Sequence, residues 1–226
     1  MKINESLIES IKSIKSNEIV NASLDIGEVI MDSNLEDGIL KDIPIIGTLI
    51  NLNKGRLSIQ DRIFSKKILS FLNQLKDIPE EKRIKAIQKI EDSKDERIKI
   101  GEKLIYLIDR TDDHVKAEII GVMFSEYIKE NIDYEDFKRA CEIINKTYLG
   151  DLLWFLNSNV IKISIEESSD MISSGLFDLP FGLSIKNLKD ELGENYYFID
   201  GYEDVSANRV AEKMRELFKK NNIELY

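Results

Sequence analysis

The densest concentration of groups able to do chemistry is the run DRTDDH, where Asp109, Asp112, Asp113 and His114 stand within six residues. Three carboxylates and an imidazole so spaced could hold a metal ion or supply a general base, the equipment of a metal-dependent hydrolase. The competing reading is a solvated turn between two helices. It is favoured because His114 is the only histidine in the chain, with no second His or Cys at ligand spacing. A serine triad would need the same His114, and no GxSxG elbow accompanies it. Cys141, the only cysteine, is in helical register with Phe137 and Ile144, which assigns it to the core rather than to nucleophilic work. Phosphate-cradling runs of the GxxxxGK[ST] kind are missing, and no GxGxxG follows a strand. Glu166, Glu167 and Asp170 make a second acidic cluster, read more simply as an exposed helix face. No catalytic residue, metal or cofactor is therefore assigned, and the chain is read as non-enzymatic.

The more informative constellation is apolar and basic. Ile43, Pro44, Ile45, Ile46 and Leu49 are followed by Lys54, Arg56, Arg62, Lys66 and Lys67, with Asp61 the only acid among those bases. An apolar wedge beside a basic helix face suits an anionic lipid surface, each base near the bilayer adding about 1 kcal/mol. It equally suits a partner chain. The alternative is a buried central helix whose basic neighbours pair with acids elsewhere. The apolar stretch Gly38–Leu52 falls short of the roughly 20 residues a membrane-spanning helix needs. These ten residues form the predicted interaction surface.

Helices must position all of this. Ile3, Leu7, Ile11 and Ile14 make one apolar stripe and predict a helix over 3–20, with a helical pattern continuing through 21–37 to a stop at Gly38. Further helices are predicted at about 57–75, with Ile63 on the apolar side and Lys67 on the basic one, and from Pro79 to about 91. Ser93 and Glu96 have capping-box spacing and predict a helix over 94–108; another runs through Val115–Ile128. Asp133 is placed as N-cap of a long helix reaching Leu156.

The last seventy residues differ. Ser164 with Glu167 predicts a helix ending at Gly175, strands are expected over 176–185 and 196–199, and Ser206 is placed as the cap of a final helix. This outline is winged-helix-like. The helix that would enter a DNA groove, IEESSDMISS, has three acids and no base, and residues 158–226 hold 13 acidic against 8 basic side chains. Such a module suits dimerisation or protein contact better than DNA.

Composition agrees with this organisation. Over 226 residues, 42 acids against 32 bases leave a net charge of −10, which disfavours nucleic acid as a partner. Hydrophobic residues at 42% and a mean hydropathy of −0.25 describe a globular chain, and three prolines suit long helices. The start MKINESLIES lacks the pattern of a secretory signal, and the lone cysteine rules out an internal disulfide. A cytoplasmic location is expected, with peripheral membrane association as the alternative.

The run DGILKDIPIIGTLINLNKG with SIQDRIFSKKILSFLNQL, Asp37 to Leu75, resembles an uncharacterised family of helical bacterial proteins found among mobile-element and phage-defence genes. The resemblance is clearest over that run and extends through the helical region to Leu156. It implies a host-conflict setting and carries no activity to any residue.

The fold class expected is thus mainly α: a helical bundle over 1–157 and a small α+β winged-helix-like module over 158–226. The function expected is that of an interaction protein whose partner is another protein, a second copy or an anionic membrane. A winged-helix regulator and a hydrolase at residues 109–114 are the rivals.

Overall fold

The computed structural model describes residues 2–15, 39–53, 57–93, 98–179, 184–189, 195–200 and 204–221. Helix α1 (Ile3–Ser13) buries Leu7 and Ile11, as the four-residue spacing requires. It ends well before residue 20, and the helical pattern read over 21–37 with its stop at Gly38 lies outside the described residues. A 3-10 turn at Ile39–Asp42 leads into α2 (Pro44–Leu52), where Pro44 takes the first helical position and its missing N–H costs nothing. Helix α3 (Ile59–Asn73) opens on a capping box. The Asp61 amide donates to Ser58 Oγ at 3.1 Å, and the Ser58 amide donates to the Asp61 carboxylate at 2.9 Å. Then come α4 (Glu80–Glu91), α5 (Ile100–Asp109), α6 (His114–Ile128) and α7 (Tyr134–Lys146). Helix α5 begins later than expected, and the start predicted at Lys94 is outside the described residues.

Two glycines let these helices approach closely. A Cβ on Gly121 of α6 would lie 2.6 Å from the Phe71 carbonyl oxygen of α3, and one on Gly101 of α5 would lie 2.5 Å from the Asn4 carbonyl oxygen of α1. Around the first contact Phe71, Phe124, Tyr127, Tyr134 and Phe137 form a chain of rings, with Phe124 and Phe137 centroids 5.3 Å apart. Helix α1 lies against α2, α4 and α5.

The single helix predicted from Asp133 to Leu156 is two. Asp133 caps α7 as expected, accepting from the Asp136 amide at 2.7 Å. The chain then becomes extended at Tyr148 (φ −58°, ψ 136°) before α8 (Leu149–Asn157). The Tyr148 ring lies over Gly150, 2.7 Å from where a Cβ there would stand. Two compact units divide at Asn145/Lys146, and α8 groups with the C-terminal one rather than with the bundle read to residue 157.

In that C-terminal unit β1 (Lys162–Ser164), α9 (Ser169–Ser174), β2 (Phe177–Asp178), β3 (Ser184–Lys189), β4 (Asn195–Asp200), β5 (Asp204–Ala207) and α10 (Arg209–Lys220) follow in order. An antiparallel sheet runs β1-β5-β2, with Ile163 opposite Val205 and Phe177 opposite Ala207; β3 and β4 pair as a separate hairpin. Ser164 ends β1 instead of starting a helix, so the helix read from there shrinks to the six residues of α9. Gly175, at φ 89°, is the left-handed cap expected. Helix α10 is capped by Asn208, which accepts from the Val210 amide at 2.8 Å, while Ser206 belongs to β5. The protein is mainly α, with a helical N-terminal unit and a small C-terminal α+β module.

Candidate interaction surface

Helix α2 carries no charged side chain, and the question is whether its apolar face is offered to a partner. It is not. Ile43, Ile45, Ile46 and Leu49 are all buried, none more than 4% exposed, and Pro44 is half-buried. The seam with α1 is polar as well as apolar: Ser6 Oγ and Thr48 Oγ1 are 2.7 Å apart, and the Ile45 amide donates to Ser10 Oγ at 3.0 Å. That amide belongs to the first turn of α2, where no intrahelical acceptor exists and the N-cap Ile43 has no side chain able to serve. Helix α1 supplies the missing cap. The apolar half of the predicted surface is therefore core.

Lys67 is corrected in the same sense. It is 8% exposed, and its ammonium donates to the Asp109 carbonyl at 2.9 Å and to the Thr111 carbonyl. Those acceptors close the C-terminus of α5, where unpaired carbonyls and the negative end of the helix dipole favour a cation. Arg83, which the sequence did not single out, does this for α1. Its guanidinium donates to the carbonyls of Lys12 (3.1 Å), Ile14 (2.9 Å) and Leu75 (3.3 Å), and burial holds its pKa below the ordinary value against the pull of Glu80. In the C-terminal unit Lys219 and Arg215 reach the carbonyls after α8, at Ser158 and Val160, with the Arg215 guanidinium 4.7 Å from the Phe155 ring centroid.

What remains outside is shifted along the chain. Ile59 is 77% exposed, Ile63 52% and Leu52 65%. Ile59 and Ile63 stand one turn apart on α3, so they share a face, contrary to the placing of Ile63 on the buried side. Arg62 and Lys66 are half-buried on the same two turns, and Lys54 and Arg56 fall outside the described residues. The signal was available in the i, i+4 isoleucine pair, but periodicity alone does not say which of two apolar stripes on α3 is covered.

The acidic turn does not assemble. The Asp113 carboxylate caps α6 by accepting from the Val115 amide at 2.7 Å and lies 3.1 Å from His114 Nδ1. Asp112 turns the other way, 2.8 Å from the ammonium of buried Lys116. His114 has its pKa lowered by burial first, then by Lys66, with Asp113 opposing. Among the described residues no three His, Cys, Asp or Glu gather closely enough to hold a metal ion. Burial pushes the Cys141 thiol far above its ordinary range, which leaves the thiolate form out of reach. A shallow cleft of about 280 Å³ where α1 meets the start of α5 mixes Glu5, Glu9 and Glu91 with Lys12 and Lys99, so no single charge dominates it. Comparison of the chain with family models, curated proteins and solved structures gave no match.

Proposed function

We propose that the protein works by presenting surface, as a non-enzymatic interaction protein whose N-terminal unit engages a protein partner through Leu52, Ile59 and Ile63, rimmed by Arg62 and Lys66. The observation that carries this is the exposure of Ile59 and Ile63, side by side on α3 and each more than half open, beside an α2 whose apolar residues are spent on the core. Exposed aliphatic side chains gathered on one helix face lower the cost of association, since burying each is worth about 1.5–3 kcal/mol. The cationic rim favours a partner whose contact segment is apolar with acidic flanks.

A membrane surface fits less well. The wedge that would enter lipid, Ile43 to Leu49, is committed beneath α1, and among the described residues no helix is long and apolar enough to cross a membrane. A net charge of −10 also repels the chain from an anionic bilayer. A DNA-reading role is disfavoured too, because α9 is six residues long and has Asp170 in its first turn. The resemblance of Asp37–Leu75 to helical bacterial proteins found among mobile-element and phage-defence genes supports a host-conflict setting for the partner.

The test compares the wild-type chain with the double variant Ile59→Asp, Ile63→Asp by quantitative affinity capture from the producing cells, after matching melting temperatures. A specific partner captured by the wild type and lost from the variant is the expected result. An identical captured set for both chains overturns the proposal. So does flotation of the wild type with vesicles of anionic phospholipid at low salt, abolished in the variant.

A further inference from the structure

We draw no further inference here: the strongest candidate, the cleft of about 280 Å³ where α1 meets the first turn of α5, mixes Glu5, Glu9 and Glu91 with Lys12 and Lys99 around a helix N-terminus, and no unpartnered buried polar side chain among the described residues lines it to say what it would bind.

Discussion

Helix α2 and the first two turns of α3 follow each other in the chain and are both rich in isoleucine, yet one is core and the other is surface. In α2 the residues Ile45, Ile46 and Leu49 are buried, and α1, which packs against this helix, caps it through Ser10. In α3 the sealed side begins at Ser65 and runs through Phe71, against α6, leaving Ile59 and Ile63 open. The difference teaches that an apolar stretch says how much surface must be covered, and a neighbouring element decides which part is. Lys66 and Lys67 repeat the lesson at single-residue scale: adjacent in sequence, one half-buried and one enclosed by carbonyls.

The largest effect expected from breaking this contrast is that of a charge placed on each side of it. Ile46→Asp puts a carboxylate at a fully buried position of α2 and should cost about 3–5 kcal/mol in chemical denaturation, enough to unfold many domains of this size. Ile59→Asp should stay within about 0.5 kcal/mol of wild type. If the two variants lose similar stability, the first turns of α3 are covered after all and the assignment of surface fails.

A smaller effect separates the two lysines. Lys67→Met keeps the stem but strands the Asp109 and Thr111 carbonyls, for an expected loss of about 1–3 kcal/mol. Lys66→Met should change stability by less than about 0.5 kcal/mol, and equal losses would mean that capping of α5 is not what holds Lys67.

The smallest effect sharpens the account of the acidic turn. Because burial and Lys66 hold the His114 pKa below its ordinary 6.5, the unfolded chain takes up a proton first as pH falls through that value. Stability should therefore decline on acidification below about 6.5, where the unfolded state binds more protons than the folded one. Glu118, whose pKa burial raises, acts in the opposite sense, since its protonation is favoured in the fold. Comparing melting temperatures at pH 7 and pH 6 for wild type and His114→Asn isolates the histidine; a variant with an unchanged slope would show that His114 is not the group responsible.

Much of the architecture was legible in local signals. Asp113, Asp133 and Gly175 each mark a helix end where the spacing predicts one, or within a residue or two of it, because these caps act through their own backbone or an amide two or three positions along. The break at Tyr148 was not legible: α7 and α8 continue one apolar register through Ile144 and Leu152, and the fold-back of the Tyr148 ring over Gly150 has no periodic signature. Nor was the small strand β1, whose Ile163 pairs with Val205 more than forty positions away.

By itself the sequence determined that this chain builds helices with an apolar side, that a small mixed module follows, and that residues 43–67 combine the strongest apolar run with bases. Only the tertiary structure decided which of those residues are available. The physical reason lies in the helix ends. Ser10 serves the start of α2, Lys67 the end of α5, Arg83 the end of α1, and Lys219 the carbonyl after α8, each reaching across dozens of residues. Orphaned amides and carbonyls must be satisfied wherever they are buried, and the side chain that satisfies them is chosen by proximity in space, which no spacing along the chain records.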